Sequence, residues 1–194
     1  MKKLFAILAV FAVVFSLAAC GGKGDIKETT PTTSLTFDDG ILIAATEYYD
    51  ALVDGDTARL KKSMSSIIEK RVEKADPFAG LSDEEISKNE AEYSIDFSDS
   101  DAFYAYFAAV MTYKGNVTGI TASKVIKCEN LSADELEEAI KKIEQEGITG
   151  INITDYTTAE IEVLITYADG STETDSQFLS FVKENGVWKV FPET

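Results

Sequence analysis

The chain predicts an α+β fold in which helices pack on one face of a curved antiparallel sheet. Three observations predict it. Apolar residues recur at helical spacing through the first half of the body. Strict alternation of apolar and polar residues takes over toward the C-terminus. Asp-Gly and Asn-Gly pairs punctuate the alternating segments, as hairpin turns require.

Each element follows from local residues. Ile41, Ala44, Ala45, Tyr48 and Leu52 share a helical face between Ile41 and Val53, with Asp38 or Asp39 to cap the start and Asp54-Gly55 to stop it. Asp56-Thr57 opens a second helix with Leu60, Met64, Ile67, Ile68 and Val72 on its buried side, and Pro77 ends that stretch. Residues 82–93 read as a short acidic helix, because Ser82 and Glu85 have the spacing of a capping box. The most apolar segment runs from Asp99 to Tyr113, with a cap at Ser98 or Asp99 and Gly115 to close it. Residues 118–128 read as a strand. Ser132 to Gln145 is a second capped amphipathic helix that turns Leu136, Ile140 and Ile143 inward and stops at Gly147. Ile161, Val163, Ile165 and Tyr167 then alternate with polar neighbours, the pattern of a half-buried antiparallel strand. Asp169-Gly170 turns the chain into Thr172–Val182, and Asn185-Gly186 turns it again into Val187–Phe191. No internal repeat is present.

Composition narrows the function. The 194 residues carry 18 basic against 34 acidic side chains, a net charge of −16. Without Lys2 and Lys3 the remaining chain stands two charges lower, at −18. Such a field repels phosphate backbones, which excludes a nucleic-acid partner. It serves solubility first, and a cation or a basic partner second. Histidine is absent, which removes the commonest general base near neutral pH and the commonest transition-metal ligand.

The N-terminus has the build of an export signal. Met1-Lys2-Lys3 is positively charged, and Leu4 to Leu17 is an apolar run broken only by Ser16. That run is short for a hydrocarbon core of about 30 Å and matches the h-region of a signal peptide. Leu17-Ala18-Ala19-Cys20-Gly21 follows and resembles the lipobox of bacterial lipoproteins. The resemblance implies that Cys20 receives a diacylglycerol, that the chain is cut before it, and that residues 1–19 are removed. Two or more acyl chains anchor stably, at about 0.8 kcal/mol per buried CH₂. Residues 20–36, rich in Gly, Thr and Pro, read as a flexible tether, and residues 37–194 as one α+β domain. The expected location is the extracytoplasmic face of the cell membrane.

Two further segments carry a family likeness. Tyr48-Tyr49-Asp50-Ala51-Leu52-Val53-Asp54-Gly55-Asp56-Thr57-Ala58-Arg59-Leu60 resembles the helix–Gly-Asp–helix opening of the nuclear transport factor two-like superfamily, or cystatin-like cone fold. Phe181 to Val190 resembles the closing hairpin of the same group. Residues 117–192, with Leu131-Ser132-Ala133-Asp134-Glu135-Leu136, are similar to lipoproteins of unknown function from Gram-positive, clostridia-like bacteria. The likeness implies a cone-shaped domain, a sheet wrapped around helices with a pocket at the open end in some members. It transfers no catalytic residue to this chain.

Other candidate features have structural readings beside functional ones. Cys128 lies in the apolar strand Lys124-Val125-Ile126-Lys127-Cys128 and reads as a small buried hydrophobe, although an odd cysteine outside the cell can also pair with another chain. The acidic groups Asp38-Asp39, Asp54-Gly55-Asp56 and Asp99-Ser100-Asp101 invite calcium but lack the EF-hand spacing, and each sits where a helix starts or stops. Phe103, Tyr104, Tyr106, Phe107 and Tyr113 fit a core better than a pocket wall, as does Trp188. No catalytic, cofactor or metal residue is assigned.

The leading functional reading is a non-enzymatic lipoprotein module that binds a small ligand or an envelope protein. One alternative is a small lyase- or isomerase-type enzyme of the cone fold using an Asp and a Tyr, which needs a cavity holding a buried carboxylate of raised pKa. Another is an accessory or sensing subunit of a membrane complex.

Overall fold

The computed structural model describes residues 37–192, so the expected signal, the expected lipidation site Cys20 and the expected tether lie outside the described residues. Six helices and one four-stranded sheet make up the body: α1 (Phe37–Asp54), α2 (Thr57–Ser63), α3 (Ser66–Lys74), α4 (Asp83–Tyr93), α5 (Ala102–Met111), β1 (Val117–Asn130), α6 (Ala133–Gln145), β2 (Ile153–Tyr167), β3 (Thr172–Glu184) and β4 (Val187–Val190). The strands are antiparallel in the order β1-β2-β3-β4. The α+β class and the C-terminal meander are as the periodicity predicts. None of these helices is long and apolar enough to cross a membrane.

The local signals act as chemistry dictates. Both capping boxes form: Ser82 accepts from the Glu85 amide while the Glu85 carboxylate accepts from the Ser82 amide, and Ser132 and Glu135 repeat this at α6. Asn185 and Gly186 both have positive φ, 51° and 83°, the backbone of a two-residue turn whose twist matches the strands it joins. Gly170 supplies the left-handed residue of the β2–β3 turn, whose Tyr167 carbonyl accepts from the Gly170 amide at 2.9 Å.

Three expectations need correction. The helix expected from Asp56-Thr57 through Val72 is two helices. Ser65 is extended, caps α3 by accepting from the Ile67 amide at 3.1 Å, and donates its own amide to the Val190 carbonyl at 2.7 Å. Met64 pairs with Val190 as a parallel bridge. Pairing with β4 therefore replaces one turn of helix, and no local pattern in Ser63–Ser66 reports that. Second, α1 begins at Phe37, so Asp39 lies inside its first turn rather than before it. Third, α5 begins at Ala102, after Asp101, which makes no side-chain cap bond. Asp99 accepts from the Asp101 amide instead, at 2.8 Å.

Two apolar clusters hold the elements together. The main core joins Ile41, Ala45, Tyr48 and Leu52 of α1, Leu60, Ile67 and Tyr104 of the following helices, and Ile161, Val163, Phe181 and Val190 of the sheet. Helix α1 runs close to both β1 and β4, the two ends of the strand order. A smaller cluster of Phe78, Ala102 and Tyr106 with Tyr93 and Phe97 anchors the loop and helix between α3 and α5.

Candidate functional site

Strand alternation assigns every sheet side chain to a face. Cys128, Val125 and Ala122 of β1 are opposite Ala159, Ile161 and Val163 of β2, which are opposite Leu179, Gln177 and Asp175 of β3. This is the inner face, since Ala159, Ile161 and Val163 are fully buried. The outer face carries Lys124 and Lys127, then Glu160, Glu162 and Leu164, then Phe178, Ser176 and Thr174. Ser176 donates to Glu160 at 2.5 Å and Ser123 to Glu162 at 2.9 Å. Phe178 stands 67% exposed there.

The free half of β3 is where polar and aromatic groups converge. Strand β4 pairs only with Phe181–Glu184, so Thr172–Leu179 has β2 on one side and, among the described residues, no strand on the other. On the inner side of that stretch Gln177 donates to Asp175, and the Tyr167 hydroxyl donates to Glu173 at 2.9 Å. That last bond holds the Tyr167 phenol above its ordinary pKa. Tyr49, 4% exposed, has a hydroxyl with no hydrogen-bond partner among the described residues. Burial pushes its pKa up, and the Asp175 carboxylate adds to the rise. Its ring lies 5.4 Å from that of Tyr48, whose pKa burial also raises. The arrangement offers the carboxylates of Glu173 and Asp175 to a cationic or donor-bearing group.

The aromatics singled out from the sequence are divided among three settings. Tyr104 enters the main core beneath Lys61, whose ammonium is 5.8 Å from the ring centroid, and Lys61 also pairs with Glu69 at 3.0 Å. The Tyr104 hydroxyl has no hydrogen-bond partner among the described residues, and burial raises its pKa. Tyr106 enters the smaller cluster, edge-on to Phe78, Tyr93 and Phe97, and burial pushes its pKa up to about 12. Phe103 and Phe107 are half-buried against the main core. Tyr113 departs from the core reading, being 72% exposed. It begins a run of three left-handed residues, Tyr113, Lys114 and Gly115, which turns its side chain out of α5's buried face.

The remaining candidates are structural. Cys128 is half-buried opposite Ala159 and packs on the core, less deeply than its strand suggests. Trp188 lies against α1, where a Cβ on Gly40 would come within 2.8 Å of its ring. Asp56 caps α2 by accepting from the Arg59 amide at 3.0 Å, and Asp54 pairs with the Arg59 guanidinium at 2.6 Å. Glu184 is the buried acidic residue among those described, 6% exposed. It accepts from the Ser65 hydroxyl, the Ser66 hydroxyl at 2.8 Å and the Ser66 amide at 3.2 Å. Three donors saturate it, so it ties the β3–β4 hairpin to the start of α3.

Comparison with family models, curated proteins and solved structures gives no match. The likeness to the cone fold therefore rests on the residues that carry it.

Sequence reasoning passed over Tyr49, Asp175 and the free edge of β3. A signal was present. Thr172-Glu173-Thr174-Asp175-Ser176 is polar on both faces, and a strand that buries neither face belongs at the margin of a sheet.

Proposed function

We propose that this chain is an extracytoplasmic lipoprotein, held at the cell membrane by acyl chains on Cys20, whose domain is a non-enzymatic binding module. The observation that carries the reading is the succession of Lys2-Lys3, the apolar run and Leu17-Ala18-Ala19-Cys20. A cone-like wrap of the sheet is supported by the closeness of α1 to both β1 and β4. Binding rather than catalysis is supported by two facts. The buried acid Glu184 is consumed by serine donors, and Asp175, whose charge helps raise the pKa of the Tyr49 phenol, is solvent-exposed. Its bound partner is a small ligand or an envelope protein.

The test is Cys20→Ser in the native host, with membrane fractionation and incorporation of labelled fatty acid. The expected result is loss of label, with the protein released or left as uncleaved precursor and the domain still folded. Identical fractionation and labelling with and without the thiol would overturn the anchor. So would mass spectrometry that finds mature protein beginning at Met1.

The Asp/Tyr enzyme reading has one observation in its favour, the rise that the Asp175 charge adds to the pKa of the Tyr49 phenol. Retention of a turnover activity by Tyr49→Phe would remove it.

A further inference from the structure

We infer that the free edge of β3, Thr172–Leu179, is a docking strand for an extended basic segment of another protein, which would add to the sheet beyond the end of β4. The inference rests on the binding-module reading and names its surface.

Backbone direction comes first. The Ser180 carbonyl accepts from the Phe191 amide at 2.7 Å, so residue 180 presents its main chain to the β4 side. Main-chain groups alternate along a strand. Thr172, Thr174, Ser176 and Phe178 therefore present N–H and C=O to that same side, where no strand of the described residues meets them. Thr172–Asp175 are exposed.

Regularity comes second. An edge is ordinarily blunted by bulges, prolines or lysines. The opposite edge strand, β1, has three breaks in register, between Val117 and Gly119, Ala122 and Lys124, and Val125 and Lys127. From Thr172 to Lys183, β3 pairs with β2 without a break, and it contains neither proline nor lysine before Lys183. It is the straight edge of the sheet.

Side chains choose the occupant. The inner side of this edge shows Glu173 and Asp175. The outer side shows Phe178. Two copies pairing here would set carboxylates against carboxylates in a chain already at −16, and like charges across strands are unfavourable. A segment alternating basic and apolar residues satisfies both sides at once. Its lysines or arginines face the carboxylates, and its apolar residues cover Phe178. Main-chain bonds supply affinity in such strand addition, and alternate side chains supply specificity.

The probe is an eight-residue peptide alternating lysine and valine, titrated calorimetrically into the full-length protein. A peptide with glutamate in place of lysine is the control, and amide hydrogen exchange is followed by NMR. Wild type should bind the lysine peptide at least tenfold more tightly than the control, and more weakly as salt rises. Protection should appear at the Thr174, Ser176 and Phe178 amides. Thr174→Pro removes only an amide that faces away from β2, a position where sheets tolerate proline, and should weaken binding at least tenfold. The double variant Glu173→Lys, Asp175→Lys keeps the backbone intact and should reverse the preference between the two peptides, which carries the test if the proline variant fails to fold. Equal binding of both peptides, binding unchanged in both variants, protection elsewhere, or no binding would overturn the inference. Dimerisation through these amides would do the same by making a second copy the occupant. Because acylation at Cys20 is read separately, failure here leaves the anchor standing, and failure of the anchor leaves this result legible.

Discussion

Replacing Glu184 with alanine withdraws the acceptor for three donors. Those donors do not lose equally. Ser65 is fully buried and its oxygen is already committed to the Ile67 amide, so its hydroxyl proton is stranded at about 1–3 kcal/mol. Ser66 is half-buried, and water can replace its two bonds at a loss of about 0.5–1 kcal/mol each. The desolvation of the carboxylate is recovered, which keeps the total near 3 kcal/mol rather than above it. At about 2–4 °C per kcal/mol for a domain of this size, the midpoint of thermal unfolding should fall by roughly 6–12 °C. Glu184→Gln retains one acceptor oxygen but turns an amide group toward the Ser66 N–H, so it should lose about half as much. Urea unfolding of wild type, both variants and Ser65→Ala, with the double variant, gives the coupling between the two sites, expected to be at least about 1 kcal/mol. An alanine variant within about 0.5 kcal/mol of wild type would refute the reasoning. Equal losses from Ala and Gln would refute the assignment of the cost to unmatched donors.

Three other outcomes follow from the geometry. Tyr104→Phe deletes a buried hydroxyl without a partner among the described residues and should be neutral or stabilising by up to about 1 kcal/mol; a loss above that in denaturant titration would show that the hydroxyl is satisfied. Gly40→Ala gains about 1 kcal/mol of helix propensity but drives a methyl against the Trp188 ring, a clash of about 1–3 kcal/mol. The net should be destabilising, with a shift in emission from Trp188, the sole tryptophan. Tyr48, Tyr49, Tyr104 and Tyr106 all have folded pKa values raised by burial. A raised pKa contributes stability that is complete below the unfolded value, near 10, and is lost as pH climbs above it. Each of the four should thus cost about 1.4 kcal/mol per pH unit above 10 until the fold fails. The phenolate absorbance of these residues should therefore appear together with the loss of circular dichroism; independent titration of four tyrosines in a folded protein would refute it.

The elements most legible in the sequence are those whose cause is local. Ser82 with Glu85 and Ser132 with Glu135 cap their helices because a serine and a glutamate three residues apart satisfy each other's amides wherever they occur. Asn185-Gly186 turns because both residues accept positive φ. Ile161 and Val163 are buried because the alternation leaves them no other face. What escaped is set by partners distant in the chain. The interruption at Met64–Ser65 exists because Val190 and Glu184 bond there. The depth of Glu184 depends on the same junction. Tyr113 leaves the core because three left-handed residues follow α5, a geometry that composition does not announce for a tyrosine and a lysine. The free edge of β3 exists because β4 is only four residues long, a length that periodicity in so short a segment cannot measure.

The junction of Ser65 with Val190 and Glu184 also sets a schedule. A ribosome releases the chain from its amino end, so α1, α2 and α3 are complete long before the last hairpin exists. Until Val190 emerges, Met64 and Ser65 have nothing to pair with, and Gly40 lacks the indole it packs on. The helical half therefore lacks these contacts until the β3–β4 hairpin has been made. Such an order is compatible with the proposed export, in which the chain would be threaded through a narrow channel before it closes.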